Sequence, residues 1–151
     1  MARREQITIN NMVTEGVNID QPVGPGPTAK NLQQDVMLIQ AMFEKLAERA
    51  GPGFLGLGSW DDVPEPSGNF DDKTEKAIKS YQRKYLHQLL SADSNIHPGA
   101  FQGRNIRFNG ADTPQMTITL LHIQLRGKYL FSAHPISYLT EIKRTVPQLR
   151  I

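Results

Sequence analysis

Cysteine is absent from this chain of 151 residues. Its absence excludes disulfide bonds, thiolate nucleophiles and cysteine-ligated metal sites. Long apolar runs are missing too, because no stretch approaches the roughly 18 consecutive apolar residues that a membrane-spanning helix requires. The N-terminal letters MARREQ lead into alternating polar residues, whereas a signal peptide needs an apolar segment there. We therefore expect a chain that is cytoplasmic at synthesis and does not insert into membranes.

Acidic residues are scarce towards the C-terminus. Residues 94–151 hold two Asp and Glu against seven Lys and Arg, whereas residues 1–93 hold thirteen against ten. This asymmetry is typical of a surface that meets an anionic partner, and equally of an ordinary solvated surface. The net charge is only +2 and no nucleic-acid-reading motif is present, so we expect no nucleic-acid partner.

The length fits one domain with extensions, and the ten prolines and twelve glycines fall mostly in clusters that predict long loops. Residues 1–20 are interpreted as an N-terminal arm with short extended pieces, residues 21–127 as a helical domain, and residues 128–151 as a C-terminal tail. A short helix is predicted in the tail from about Pro135. Its inward-facing residues would be Ile136, Leu139 and Ile142.

The first helix is predicted after a Pro- and Gly-rich turn at residues 21–27. Asn31 and Gln34 have the spacing of a capping pair, and the GPG sequence at residues 51–53 predicts the end of the helix. The apolar residues of the segment recur at intervals of three and four, which is typical of one buried helical face. They are Leu32, Val36, Ile39, Phe43, Leu46 and Ala50.

The segment GNFDDKTEKAIKSYQ, residues 68–82, predicts a turn followed by a second helix. The helix would begin at Asp71 or Asp72, because Asp72 and Glu75 have capping-box spacing and acidic residues are favourable near a helix N-terminus. Its inward-facing residues would be Ala77, Ile78, Tyr81, Tyr85 and Leu89. The preceding loop, residues 51–69, contains Trp60, the sole tryptophan, and its apolar content indicates that it packs on the domain.

A third helix is predicted to start at the Asp112-Thr113-Pro114 sequence and to end before Gly127. Its apolar stripe would be Ile118, Leu121 and Leu125. The alternation over residues 116–120 is also typical of a strand, which remains the alternative for this segment. Three helical stripes separated by loops predict an all-α fold, a compact three-helix bundle with an N-terminal arm and a C-terminal tail.

The second-helix pattern resembles that of the peptidoglycan-binding domain family known as PGBD-like. The matching residues there are Gly68, Phe70, Thr74, Ala77, Ile78, Tyr81 and Gln82, and those in the first helix are Asp35, Val36, Ile39, Gln40 and Phe43. The resemblance covers residues 21–126 and implies a small three-helix bundle. The chain departs from the family pattern at Ser94, where a glycine is usual, in the long loop at residues 51–67 and in an insertion that contains residues 101–108.

The residues of the second-helix motif also have structural reasons that require no ligand. In chain order, these are Gly68 for the turn, Phe70 for the helix entry, Thr74 and Ala77 for close helix approach, Tyr81 for the core and Gln82 for hydrogen bonds to a loop. Fold therefore transfers from the resemblance more directly than function.

The resemblance implies a non-catalytic module that binds bacterial cell-wall peptidoglycan and so concentrates an associated machine at the wall. Aromatic faces hold sugars, and arginine forks grip the carboxylates of stem peptides. The expected ligand contacts are Trp60, Arg83, Tyr85, Arg104 and Arg107. The alternative is that Trp60 pins its loop to the bundle and that the arginines are simply solvated.

A structural or adaptor subunit is the alternative function. Apolar residues within residues 1–20 and 133–151 would dock neighbouring proteins, because extended segments can add to a partner's sheet or groove. A component of a phage tail-like or contractile injection particle would combine this role with wall binding. Such a particle would also carry the chain to the cell envelope or outside the cell without a signal peptide.

No catalytic, metal or cofactor site is predicted. His87, Asp93 and His97 approach one another only if their loop folds back, and their spacing fits no zinc signature. No Gly-x-Ser-x-Gly elbow is present, and L,D-transpeptidase chemistry is excluded without cysteine. Glu44 and Glu48 share a helix face, but nothing in the sequence indicates that their pKa values are raised. Cell-wall hydrolase activity is expected to be absent.

Overall fold

The computed structural model describes residues 2–86, 92–108 and 116–151. Over these ranges the chain forms four α-helices and a three-stranded mixed β-sheet. The predicted all-α, three-helix bundle is therefore wrong. The residues interpreted as an N-terminal arm supply two of the strands, and a fourth helix lies within the predicted tail.

An N-terminal β-hairpin opens the fold. Strand β1, Arg3–Ile9, pairs antiparallel with strand β2, Met12–Asn18. The two-residue turn consists of Asn10 and Asn11, whose φ angles of 50° and 66° are those of a type I′ turn. Asparagine tolerates this left-handed backbone better than most residues, so the Asn-Asn pair fixes where the chain reverses.

A short third strand, β3, lies within residues 101–108, the part of the chain that is an insertion relative to the PGBD-like pattern. It comprises Asn105–Ile106 and runs parallel to β1, which gives the strand order β2-β1-β3. Turn and insertion are tied together by side chains: the Asn11 amide N–H donates to Asn105 Oδ1 at 2.9 Å, and the Phe108 amide N–H donates to Asn10 Oδ1 at 2.9 Å.

Helix α1 spans Gln33–Ala50 and ends at Gly51, as the sequence predicts. The predicted Asn31–Gln34 capping pair is wrong, because no side chain caps this N-terminus. The Asn31 side chain instead bonds both backbone groups of Gly24, and Gln34 Oε1 accepts from the Arg150 backbone N–H at 2.6 Å. Both side chains therefore hold distant segments to the start of the helix.

Helix α2 spans Asp72–Tyr85, and the Asp71 side chain caps it by accepting from the Thr74 backbone N–H at 2.8 Å. The hydrogen bond from the Thr74 hydroxyl, together with the weaker contribution from the backbone N–H, lowers the pKa of the Asp71 carboxyl. The predicted start at Asp71 or Asp72 is confirmed, with Asp71 as the N-cap and Asp72 as the first helical residue, and the Asp72–Glu75 capping box is wrong. The stripe residues Ala77, Ile78 and Tyr81 are buried, whereas Leu89 lies outside the described residues.

Helix α3 spans Thr117–Leu130, so the strand alternative for residues 116–120 is wrong. The predicted end before Gly127 is wrong too, because the helix continues through this glycine for three further residues. Ile118, Leu121 and Leu125 are fully buried. The predicted start at residues 112–114 lies outside the described residues.

Helix α4 spans Tyr138–Thr145, inside the segment where a short helix is predicted, and Ser137 caps it through the Leu139 backbone N–H. Its inner face buries Leu139 and Ile142, while Ile136 is half-buried. One hydrophobic cluster includes residues of the hairpin, α1, α2, α3 and α4. The first twenty residues and the last nineteen therefore contribute to the same core as the segment between them.

Candidate functional site

The loop between α1 and α2, residues 51–69, is well anchored and will be called the Trp60 loop. It contains two short 3₁₀ helices, Pro52–Leu55 and Trp60–Asp62. Three of its apolar side chains reach the core. They are Leu55, Leu57 and Val63. Hydrophobic burial of these three residues holds the loop against α1 and α2.

The far end of the Trp60 loop is fixed by a buried amide. Gln40 Oε1 accepts from the Gly68 backbone N–H at 2.8 Å, and Gln40 Nε2 donates to the Asn69 carbonyl at 2.9 Å. Gly68 has a φ of 84°, and a Cβ there would lie 2.6 Å from Cγ of Gln33. A glycine is therefore required at this turn both by the backbone conformation and by the close approach of α1.

The near end of the Trp60 loop is held by the last turn of α2. The Tyr85 hydroxyl donates to the Phe54 carbonyl, and Lys84 Nζ donates to the Gly53 carbonyl at 2.6 Å. The Tyr85 ring also packs against Phe54 and Tyr81, with centroids 5.7 Å and 4.9 Å away. Burial raises the pKa of the Tyr85 hydroxyl. Tyr85, expected to contact ligand, is thus occupied in holding the loop.

Trp60 itself remains 55 % exposed. Leu55, Leu57 and Val63 anchor the loop, so the Trp60 ring is not its only attachment, and the alternative in which the ring pins the loop stays a prediction. One exposed ion pair marks its position: Asp62 Oδ1 lies 3.6 Å from Lys76 Nζ on α2. The indole therefore stands on a fixed loop beside the N-terminal half of α2.

A row of basic side chains runs along the solvent face of α2 from this point. Lys76, Lys79 and Arg83 are exposed and occupy positions i, i+3 and i+7, which share one helix face. With a rise of 1.5 Å per residue, the row is about 10 Å long. Trp60 and these three residues will be called the Trp60–α2 surface. Its chemistry is that of an apolar ring next to a line of hydrogen-bonding cations.

Arg83 is the one predicted arginine that belongs to this surface. Arg104 and Arg107 are exposed on either side of β3, next to the hairpin. No hydrogen bond, ion pair or ring contact among the described residues joins them to Trp60 or to α2. The structure therefore divides the five expected ligand contacts: Trp60 and Arg83 lie on the Trp60–α2 surface, Tyr85 beneath it and the other two arginines on the sheet.

Lys76 and Lys79 belong to the surface but were not among the residues predicted from the sequence. The sequence does contain a pattern that indicates their exposure, since both lie on the helix face opposite the buried stripe of Ala77, Ile78 and Tyr81. Their spacing with Arg83 could have indicated a basic face once the helix had been assigned.

The motif residues of α2 have the structural contacts that the sequence suggests. Gln82 Nε2 donates to the Asn95 carbonyl at 2.8 Å and to Thr117 Oγ1 at 3.2 Å, while its Oε1 accepts from the Ser94 backbone N–H at 2.9 Å. The Tyr81 ring meets Phe43 edge-on at 5.4 Å. Thr74 is buried against Gln40, and Phe70 is half-buried.

A buried polar chain between the sheet and the last two helices is absent from the sequence predictions. Thr14 donates its hydroxyl proton to the Ile7 carbonyl, so its oxygen accepts from Nε2–H of His122 at 3.0 Å. Nδ1 of His122 then accepts from the Tyr138 hydroxyl at 2.6 Å. Burial, reinforced by the nearby charge of Arg126, lowers the pKa of His122 to about 4. No spacing in the sequence marks this chain.

The acidic pair on α1 also differs from the expectation. Lys45, which is 2 % exposed, places its Nζ 3.0 Å from Glu48 and 3.6 Å from Glu44. Burial nevertheless raises the pKa of Glu44, although Lys45 opposes the shift. The expectation that nothing raises a pKa here is wrong for Glu44.

The residues considered for a metal do not form a cluster in the described part of the chain. Asp93 and His97 are exposed, and His87 lies outside the described residues. Among residues 2–86, 92–108 and 116–151, no three His, Asp or Glu side chains are grouped as metal ligands. Within the same ranges, no helix combines the length and hydropathy needed to cross a membrane.

Comparison of the chain with protein-family models, with curated proteins and with solved structures finds no match. The PGBD-like resemblance therefore stays a prediction from the motif residues.

Proposed function

We propose that the chain is a non-catalytic module that binds bacterial cell-wall peptidoglycan through the Trp60–α2 surface. The observation that carries the proposal is the exposure of Trp60 on a loop that other side chains anchor. The motif resemblance on α2 supplies the ligand class, and the surface supplies groups suited to it.

The exposed indole is suited to the apolar face of a sugar ring. Covering half of an indole, roughly 100 Å² of apolar surface, contributes about 2.5 kcal/mol. Since Leu55, Leu57 and Val63 already hold the loop, little conformational entropy is lost when a ligand covers the ring. Binding at a fixed ring keeps most of that free energy.

The basic row is suited to the carboxylates of stem peptides. Arg83 can grip a carboxylate with two parallel hydrogen bonds, and Lys79 acts as a point charge beside it. Lys76, which is already paired with Asp62, adds less. Each exposed pair contributes no more than about 1 kcal/mol, and salt screens it. The row therefore orients the polymer along α2, whereas the indole supplies most of the affinity.

Sedimentation with insoluble purified peptidoglycan tests the proposal. The chain is expected to sediment with the wall at low salt, and Trp60→Ala is expected to weaken binding by roughly 30-fold, which corresponds to the loss of about 2 kcal/mol. Phe131→Ala is the matched control, because Phe131 is 88 % exposed and lies just after α3, beside Phe54 rather than Trp60. Protein that stays in the supernatant, or equal losses in the two variants, would contradict the proposal.

Two sets of charge substitutions separate the α2 row from the sheet arginines. The first set is a triple variant, which is expected to weaken binding several-fold and to reduce its salt dependence. It combines Lys76→Gln, Lys79→Gln and Arg83→Gln. The second set is a double variant, Arg104→Gln and Arg107→Gln, which is expected to leave sedimentation unchanged. The opposite pattern would move the site to the sheet. Release of dye from dye-labelled wall is expected in neither case, since the proposed module only binds.

The docking hypothesis for residues 1–20 and 133–151 loses several of the apolar side chains that motivate it, although Met12 and Val13 stay exposed. The apolar side chains that motivate it include Ile7, Val17 and Leu149, and these are buried in the chain's own core.

A further inference from the structure

The outer edge of β2 is open. In a hairpin closed by a two-residue turn, the flanking pair Ile9–Met12 is hydrogen-bonded, so Thr8–Val13 and Gln6–Glu15 are non-hydrogen-bonded pairs. The backbone N–H and C=O groups of Val13 and Glu15 consequently point away from β1. The described residues supply no further strand on that side, because β2 ends the sheet order. An edge of this kind is a template for an added strand.

A groove of about 250 Å³ lies along this edge. One wall is β2 itself, and the other comes from α3 and from the segment that enters α4. Its lining includes Val13, Glu15, Arg126, Leu130, Ile136 and Tyr138. Val13 is 61 % exposed, and Leu130 and Ile136 are half-buried, so the groove offers apolar contacts beside open hydrogen-bonding groups.

The floor of the groove is rigid. Tyr138 is buried and donates to His122, which in turn donates to Thr14 on β2. This chain fixes the distance between β2 and α4 at the level of the groove. The groove is thus largely pre-formed, and an occupant loses little affinity to reorganisation of the protein.

Charge at the groove favours a carboxylate. The Arg126 guanidinium lies 3.3 Å from the Met12 sulfur and makes no ion pair with a described residue. Among the described residues, the one carboxylate in the lining is that of Glu15, and it is already paired with Arg4 at 2.8 Å. A second carboxylate brought into the groove would therefore find a partner in Arg126.

We propose that this groove binds an extended peptide as an added fourth strand, with apolar side chains against Val13 and Ile136 and a free C-terminal carboxylate at Arg126. Main-chain hydrogen bonds to Val13 and Glu15 span two residues, about 6.8 Å, which sets the minimum length of the added strand. The proposal concerns a different surface from the wall-binding site and does not depend on it.

Fluorescence anisotropy with the full chain tests the proposal. The probe is a fluorescein-labelled pool of hexapeptides, Gly-Gly followed by four positions that each hold Val, Ile or Thr, with a free C-terminal carboxylate. Saturable binding is expected, and the same pool with an amidated C-terminus is expected to bind about tenfold more weakly, because a charge-assisted hydrogen bond is lost. In Arg126→Gln the two pools are expected to bind alike.

Val13→Pro removes one outward N–H while β1–β2 pairing is kept, since this N–H does not face β1. It is expected to weaken both pools about tenfold. Gln6→Pro is the matched control, because the N–H of Gln6 points out of β1 on the opposite side of the sheet, beyond the end of β3. It is expected to leave binding unchanged, and circular dichroism establishes that both variants stay folded.

Three results would overturn the proposal. They are binding of neither pool, equal binding of the two pools by the unsubstituted chain, and equal weakening by Val13→Pro and Gln6→Pro. A second copy of the chain is the other possible occupant of this edge. Sedimentation of the chain alone tests it, because a dimer that Val13→Pro dissociates would assign the edge to a second copy rather than to a peptide.

Discussion

Buried side-chain amides hold the irregular segments of this chain to its helices. Gln40 fixes the end of the Trp60 loop, and Gln82 fixes residues 94–95 to α2 and α3. A segment without regular structure must satisfy its backbone groups elsewhere, and a buried amide supplies a donor and an acceptor together. Both residues also match the PGBD-like pattern, and these hydrogen bonds give them a structural role in this chain.

Gln82→Leu should therefore destabilise the fold. The substitution keeps apolar volume but leaves the Ser94 N–H and the Asn95 carbonyl without partners, which costs about 2–4 kcal/mol of unfolding free energy. Urea denaturation measures the change. Gln102→Leu, at an exposed glutamine, is the control and should alter stability by less than about 0.5 kcal/mol. Similar midpoints for the two variants would contradict the role of Gln82.

His122 should make stability fall in mild acid. Its pKa is about 4 in the folded chain against 6.5 for a free histidine, so both states are neutral above pH 6.5 and the full stability is present there. Between pH 6.5 and 4 the unfolded chain binds the extra proton, and the free energy of unfolding falls by about 3 kcal/mol.

His122→Gln tests this pH dependence. Glutamine can still donate to Thr14 and accept from Tyr138, but it does not titrate. The fall in unfolding free energy that His122 causes between pH 6.5 and 4 should therefore disappear. Urea midpoints between pH 7 and pH 4 give the measurement. The same substitution at exposed His97 should keep the wild-type dependence. If the free energy of unfolding of His122→Gln still falls equally between pH 7 and pH 4, other groups cause the pH dependence.

At the scale of elements, α3 shows how a glycine can mislead a sequence interpretation. Gly127 resembles a helix stop, yet the helix continues to Leu130. An added Cβ at Gly127 would meet nothing within 4 Å, whereas one at Gly16 in β2 would lie 2.3 Å from Ile7 Cδ1 and 3.0 Å from His122 Nδ1. Gly127 is therefore dispensable, and Gly16 is required by the packing of the hairpin.

The same substitution at the two glycines should have opposite effects. Gly127→Ala should stabilise the chain by about 0.5–1 kcal/mol, because alanine loses less backbone entropy in a helix. Gly16→Ala should destabilise it by about 1–3 kcal/mol through overpacking. Thermal unfolding of the two variants side by side gives the comparison. Changes of the same sign would mean that the environment of one glycine is not as described.

The elements that could be predicted are those whose signal is local. The stripes of α1 and α2 lie in consecutive turns, so periodicity alone placed them. The sheet depends instead on pairing between distant residues, such as Thr8 with Asn105, and no local pattern announces such a contact. The Asn10-Asn11 turn was the one local sign of the hairpin.

At the scale of the whole molecule, the segments interpreted as arm and tail complete the core. Ile7 and Val17 from the hairpin, and Leu139 and Leu149 from the end of the chain, are buried in the same cluster as the central helices. Their apolar residues could be recognised in the sequence. Whether those residues face a partner or the chain's own core depends on long-range packing, which the sequence alone did not reveal.

The candidate site could be predicted only in part for the same reason. Residue types suited to a sugar polymer pointed to Trp60, which is next to the Asp62–Lys76 ion pair, and to Arg83, two turns after Lys76 on the same face of α2. The same criterion also selected Tyr85, whose hydroxyl is bonded to the Phe54 carbonyl, and Arg104, which lies on the sheet. Chemistry suggests candidates, but convergence in space is a property of the fold.

Emission from Trp60 tests the central claim most directly, because this residue is the only tryptophan of the chain. Titration with soluble muropeptides from digested peptidoglycan should shift the emission to shorter wavelength and protect the indole from acrylamide quenching, with saturation. Chito-oligosaccharides, which lack stem peptides, should give a weaker response. If the protein sediments with the wall while its emission and quenching stay unchanged, Trp60 does not meet the ligand and the proposed surface is wrong.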